Sequence, residues 1–189
     1  DAVVGRIKEI KTMPIQEGKN QMNIKNYDIE FNDVHFGYDD HSVINGVSFT
    51  AKQGEITALI GSSGSGKTTL TKLAARFWDV DKGKIRIGGE DVSDVDPEVL
   101  LKNFSIVFQD VTLFNSSIKD NIRIGKKGAT DEEIVRAAKI ARCYEFIDKM
   151  PEGIDTIIGE NGQRLSGGER QRISIARAIL KDAPIILLD

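Results

Sequence analysis

Gly61-Ser62-Ser63-Gly64-Ser65-Gly66-Lys67-Thr68-Thr69 is the stretch that decides the fold. It matches the pattern G-x-x-x-x-G-K-[ST] at every position. Glycines let a backbone turn tightly and approach a ligand with no Cβ in the way. Successive N–H groups then converge on one concavity and form an anion nest. The helix that follows adds unpaired N–H groups and the positive end of its dipole. Lys67 is expected to reach β- and γ-phosphates, and the Thr68 hydroxyl to ligate Mg²⁺. Outward from the loop, Ile56-Thr57-Ala58-Leu59-Ile60 predicts a buried parallel strand. Lys67 to Phe77 predicts a helix with Leu70, Leu73, Ala74 and Phe77 on one face. A Gly/Ser-rich linker that happens to carry Gly-Lys-Thr is the competing reading, and it leaves the strand–loop–helix context unexplained. A nucleoside triphosphate is the expected ligand.

The chain has 189 residues, 40% apolar and 29% charged, enough for one real core and a smaller second lobe. Its formal net charge of −3 argues against a general nucleic-acid binder. The single cysteine, Cys143, has no internal partner and points to a reducing compartment. It falls in a helical pattern, so a buried structural thiol is expected. No apolar run has the length of a membrane span, and no signal peptide is evident.

Before the loop, Asp1 to Lys11 predicts a short helix with Val3, Val4, Ile7 and Ile10 on one side, ended by Met13-Pro14. Ile15 to Tyr27 is polar and uneven, as in a linker. Ile29 to Phe36 alternates like a strand, with an irregularity expected at Asn32-Asp33. Gly37-Tyr38-Asp39-Asp40 predicts a turn, as does Asn45-Gly46 after Val43-Ile44. Val47 to Ala51 predicts a further strand, and Gln53-Gly54 another turn. Lys84 to Ile87 and Glu90 to Val92 flank Gly88-Gly89, a strong hairpin signal. These short strands imply an antiparallel sheet beside a parallel core.

Beyond it, Pro97 opens a helix after Asp96, and Phe104 to Phe108 forms an apolar strand ending at Gln109. Ser116 to Met150 is mostly helical, with Thr130-Asp131-Glu132-Glu133 as a capping box for a helix running to about Ala141. Thr156 to Gln163 reads as a loop, Ser166 to Lys181 as a helix, and Ile185-Ile186-Leu187-Leu188-Asp189 as a buried strand ending in a carboxylate.

Leu165-Ser166-Gly167-Gly168-Glu169-Arg170-Gln171 carries a second message. Locally it predicts a capping box in which Ser166 and Glu169 bond reciprocally. Two adjacent glycines at a helix start are nevertheless costly unless something must come close. A hydroxyl, glycine N–H groups and a helix N-terminus form a second phosphate-binding surface. One nucleotide does not need two such surfaces in one subunit, whereas two subunits arranged head-to-tail use both.

With this motif, which matches that family's signature, the sequence resembles the ATP-binding domain of ABC transporters, from about Ile29 to Asp189. The resemblance implies an α/β fold: a P-loop NTPase (RecA-like) parallel-sheet core, an antiparallel β lobe, and an inserted α-helical lobe over about 110–164. It implies ATP sandwiched between the phosphate loop of one subunit and Ser166, Gly167 and Gly168 of the other. It gives Lys67, Gln109 and Asp189 catalytic parts, with Thr68, Gln109 and Asp189 around Mg²⁺. Gln109 also couples to the membrane domain in this family. Tyr38 matches the aromatic that stacks on adenine; an ordinary sheet-edge tyrosine is the rival reading. Thr156-Ile157-Ile158-Gly159-Glu160-Asn161-Gly162 is similar to a Thr-x-Val-Gly-Glu-x-Gly loop of exporters, with Ile158 in place of valine.

The family's pattern continues with a catalytic glutamate directly after the Asp189 position and a later histidine, and these are not in the chain. His35 and His41 lie far upstream and read as surface strand and turn residues. The expectation is therefore a fragment inactive on its own. Gly5-Arg6-Ile7-Lys8-Glu9-Ile10 and Met13-Pro14 resemble the linker after a last membrane helix, so residues 1–28 are expected to join an upstream transmembrane domain. The implied function is ATP hydrolysis powering transport, of the export type, at the cytoplasmic face of a membrane, with a second ATP-binding domain as partner and no nucleic acid. A soluble ABC ATPase of DNA repair or translation is the alternative. A small-molecule kinase has no use for the Leu165–Gln171 motif.

Overall fold

In the computed structural model residues 16–189 are described, and the chain divides into two compact units. The helix expected within the first eleven residues and its Met13-Pro14 stop lie outside the described residues. One unit takes the chain up to Ala58 together with Lys72–Leu100; the other takes Leu59–Thr71 and Leu101–Asp189.

The first unit is built on a four-stranded antiparallel sheet. Its strands are β1 (Ile29–Tyr38), β2 (His41–Ala51), β3 (Lys82–Ile87) and β4 (Glu90–Asp91), in the order β2-β1-β3-β4. Ile29, Phe31, Val34 and Phe36 of β1 are buried, and the alternation slips between Phe31 and Val34. Asp33 has φ +48° there, so the irregularity expected at Asn32-Asp33 is a bulge. The turn expected at Asn45-Gly46 is instead a bulge inside a continuous β2, with Gly46 at φ +68°. Pairing with β1 on both sides of it keeps the chain in the ladder. Gly88 and Gly89 close the β3–β4 hairpin at φ +57° and +90°, which suits a type I′ turn.

The uneven stretch before β1 is bound to this unit. Lys19 accepts from the Asp96 N–H at 3.0 Å and donates to the Asp94 carbonyl at 2.7 Å. Gly18 passes so close that a Cβ there would lie 2.3 Å from the Val95 carbonyl carbon. The buried Arg76 guanidinium donates to Asp79 at 2.7 Å and to the carbonyls of Glu17 and Val95. Arg76 takes φ +54°, and the helix α1 (Lys67–Ala74) stops before it rather than running to Phe77. The apolar spacing favoured a longer helix; the anchoring of Arg76 and its left-handed backbone end it.

In the second unit β5 (Phe104–Val107) and β6 (Ile185–Leu188) pair in parallel, with Phe104 opposite Ile185 and Val107 opposite Leu188. The short helix α2 (Pro97–Leu101), which precedes β5 in the chain, belongs to the first unit up to Leu100. Next come α3 (Ile118–Arg123), α4 (Asp131–Ile140), α5 (Tyr144–Ile147) and the long α6 (Gly167–Lys181). Their apolar faces form one core that includes Ile118, Ile122, Ile134, Phe146, Ile158 and Ile173. Thr130 and Glu133 make the expected capping box on α4. Cys143 is buried in this core, and burial pushes its thiol pKa up to about 12, as expected for a structural residue.

Two expectations fail around the parallel pair. The run 56–60 forms no strand, and Ile56 and Ile60 are 100% and 96% exposed. Ile186 and Leu188 of β6 are exposed too. An apolar run becomes a buried strand only when a neighbouring edge takes its N–H and C=O groups and other elements cover its faces. Among the described residues 56–60 has no ladder partner.

Candidate nucleotide-binding site

The phosphate loop belongs to the second unit and has the conformation its glycines permit. Gly64 and Gly66 take φ +78° and +87°, values that side-chain-bearing residues rarely adopt. A Cβ on Gly61 would lie 2.5 Å from Ser65 Oγ, so the loop closes on itself there. Ser65 N–H donates to the Ser62 carbonyl at 3.2 Å and Leu70 N–H to the Gly66 carbonyl at 2.9 Å, which starts α1. Lys67 Nζ folds over the loop and donates to the Gly61 and Ser62 carbonyls at 3.0 and 2.8 Å. The ammonium thus lies at the mouth of the loop, where an anion would compete for it.

Thr68 Oγ1 donates to Asp189 Oδ1 at 2.6 Å across 121 residues of chain. The β5–β6 register sets the place of the carboxylate, while the hydroxyl comes from α1. The parallel strands end side by side, the Asp189 N–H donates to the Val107 carbonyl at 3.0 Å, and Gln109 is exposed just past the end of β5. Ligands in parallel α/β sheets bind beyond the carboxyl ends of strands. The hydroxyl and carboxylate are hard oxygen donors of the kind Mg²⁺ takes, with phosphate and water oxygens completing the set. Among the described residues no group of three or more His, Cys, Asp or Glu could cage a metal alone.

Ser166 caps α6 with φ −66° and ψ 161°, and its hydroxyl accepts from the Glu169 N–H at 3.3 Å. Glu169 accepts in return from the Ser166 N–H at 2.7 Å and hydroxyl at 2.8 Å, and the N–H bond foremost holds its carboxyl below the usual range. The capping box is as expected. The glycines are the informative part. A Cβ on Gly168 would meet nothing within 4 Å, and one on Gly167 only an arginine terminus at 3.9 Å. Neither residue has positive φ. The fold of this unit does not require glycine at either position.

Tyr38 lies in the first unit. Its ring packs edge-on against Phe36 and Trp78, with centroids 5.0 and 5.3 Å apart, and keeps 36% of its surface exposed. His35 and His41 also belong to that unit, with His35 paired with Asp33 at 3.1 Å and His41 opposite Tyr38 in the β1–β2 register.

Sequence reasoning passed over two residues, Asn121 and Arg177. Asn121 is fully buried among the apolar residues of α3 and bonds to Arg177 of α6. The available signal was an asparagine in the apolar frame of Ile118 and Ile122, which needs partners if buried.

A family profile described as "ABC transporter" matches residues 44–189. An ATP-dependent lipid A-core flippase of Syntrophus aciditrophicus is 49% identical over 161 residues, covering 85% of this chain and 27% of its own length. A beta-(1→2)glucan export ATP-binding/permease protein of Rhizobium johnstonii is 50% identical over 162 residues, covering 85% and 28%. A mycobactin import ATP-binding/permease protein of Mycolicibacterium thermoresistibile is 46% identical over 161 residues, with the same coverage. The chain thus spans about a quarter to a third of these relatives. Among solved structures, a bacterial Atm1-family ABC exporter with ATP bound matches with TM-score 0.93 and 38% identity, over 99% of this chain and 33% of that one.

Proposed function

The chain belongs to the ABC transporter family, and from that premise we propose that it is the ATP-binding part of a membrane transporter, working as one half of a head-to-tail pair around Mg-ATP. Its finer architecture is then the RecA-like parallel core with an antiparallel lobe and an inserted helical lobe. Residues 61–69 cradle the phosphates, with Lys67 on the β- and γ-oxygens. Thr68 and Asp189 would hold Mg²⁺, which when bound neutralises charge between those oxygens. Gln109 orients water at the open end of β5. Ser166, Gly167 and Gly168 serve the nucleotide held by a second copy or a related domain, and Tyr38 stacks on the base.

One observation carries this reading: the signature glycines are free of any packing demand from their own fold. A residue kept small with open space before it leaves room for something outside the unit, and at a helix N-terminus that room suits phosphate. Catalysis in such a site is positioning plus charge stabilisation of the transferred phosphoryl group.

Transport is favoured over a soluble repair or translation ATPase because the relatives are named as a flippase and as ATP-binding/permease proteins. Their names cover flipping, export and import, so ATP-driven movement across a membrane is what they share. Export rests on the likeness of 156–162 to the exporter loop and on the exporter of known structure. A membrane-spanning partner domain upstream and a place at the membrane's cytoplasmic face complete the proposal. Among the described residues no helix is long and apolar enough to cross a membrane. Calorimetry with Mg-ATP tests the site: Lys67→Ala should weaken binding markedly, and unchanged affinity refutes the assignment.

A further inference from the structure

The helix that starts at Ser166 and the segment that follows Gln109 are joined by one buried polar cluster that belongs to neither motif. Asn121 Nδ2 donates to the carbonyls of Phe114 and Ser117 and to Ser116 Oγ, each at 3.0 Å. Its Oδ1 accepts from the Phe114 N–H at 2.9 Å and from Arg177 Nη2 at 2.7 Å. Arg177 also donates through Nε to the Asn121 carbonyl and through Nη1 to the Thr112 carbonyl, both at 2.6 Å. One guanidinium therefore ties α6 to α3 and to the chain just beyond Gln109. The opposite edge of that chain is fixed as well. Leu113 N–H donates to Asn161 Oδ1 at 3.0 Å, and Ile158 N–H to the Ser116 carbonyl at 3.2 Å.

The acceptors of Arg177 are all uncharged carbonyl or amide oxygens. A part-buried cation without a carboxylate carries a desolvation cost that an apolar side chain would avoid. The planar fork offers in return a geometry that reaches several acceptors at once, which lysine cannot reproduce.

We propose that Arg177 is a positioning residue that makes the segment after Gln109 and the signature helix α6 respond to nucleotide as one piece. A ligand drawing on Gln109 shifts Thr112 and Phe114, and the fork carries that shift to α6 and its Ser166 end. The proposal rests on the nucleotide reading above, and the experiment separates the two.

Hydrogen exchange is followed in the wild type, Arg177→Met and the milder Arg177→Lys, with and without Mg-ATP, beside calorimetric affinity. Without nucleotide, both variants should raise exchange at the Leu113 and Phe114 amides by about tenfold, the size of one lost hydrogen bond to a charged group, while α4 keeps its rates. With saturating Mg-ATP, protection should persist at 61–69 at unchanged affinity in every chain. At a protein concentration that sedimentation shows to be monomeric, so that no second copy's nucleotide touches Ser166, the response at 164–172 should be present in the wild type and lost in Arg177→Met. A response at 164–172 that survives in Arg177→Met overturns the proposal. So does a uniform rise over α3, α4 and α6 without nucleotide, which marks a residue that only stabilises the fold. Failure of the wild type to bind Mg-ATP refutes the nucleotide reading, and with it the coupling proposed for Arg177.

Discussion

Gly168→Ala separates fold from function at the signature. Gly168 is in the first turn of α6, without positive φ, and its Cβ direction is open to beyond 4 Å. Alanine there removes unfolded-state freedom and meets no obstacle, so it should stabilise the chain by up to about 1 kcal/mol. For a chain of this size that raises the melting temperature by about 2–4 °C. The same methyl occupies the space into which the phosphates of a facing subunit's nucleotide would come. Mg-ATP-dependent association, read by sedimentation velocity as the difference between nucleotide and no nucleotide, should therefore weaken. The mutation should raise stability and lower association together. A lower melting temperature would show that the glycine answers a packing demand within the unit, and the argument for an outside ligand would fall. Unchanged nucleotide-dependent association with raised stability would refute the head-to-tail role of this surface.

Tyr38→Ala should cost about 1–3 kcal/mol of nucleotide affinity by calorimetry, with ATP and GTP affected alike because every base has a π-face; an effect near zero returns Tyr38 to its aromatic cluster with Phe36 and Trp78. Glu169 has a depressed carboxyl pKa from the Ser166 bonds. Its contribution is thus present above the ordinary carboxylate range and lost as pH falls through the lowered value. Urea midpoints of wild type and Glu169→Gln should differ near about pH 7 and converge as the pH falls through the lowered carboxyl value, and a gap that stays constant into acid would sink the capping account. Cys143, with its thiol pushed to about 12, should resist a thiol reagent in the folded chain and react on unfolding; rapid native labelling would contradict its burial.

Local chemistry was the legible part. The phosphate loop, the capping boxes at Thr130 and Ser166 and the Gly88-Gly89 hairpin are each set by a few neighbouring residues. Those residues have one low-energy way to satisfy their N–H groups or dihedrals, so spacing alone suffices. The meeting of Thr68 with Asp189 was legible only through the resemblance, which places both around Mg²⁺; in the structure the hydroxyl comes from α1 and the carboxylate follows β6. Arg177 was not legible: its partners come from α3 and from the segment around Thr112, and its own helix looks complete without them.

The misread elements share one cause. Asn45-Gly46 looks like a turn locally, but β1 supplies a ladder on both sides and the glycine becomes a bulge. Phe77 fits the helical face of α1, but the pull of Arg76 toward Val95 and Asp79 ends the helix earlier. The run 56–60 is as aliphatic as any buried strand, but without a neighbour's hydrogen bonds it stays open, with Ile60 exposed like Ile186 and Leu188. In each case the pattern states what a segment could bury, while a distant partner decides whether it does. An exposed aliphatic set of this kind favours association. The purified chain should therefore self-associate without nucleotide, and Ile60→Lys should reduce that component in sedimentation while leaving the nucleotide-dependent one, which depends on Ser166 and Gly168, in place.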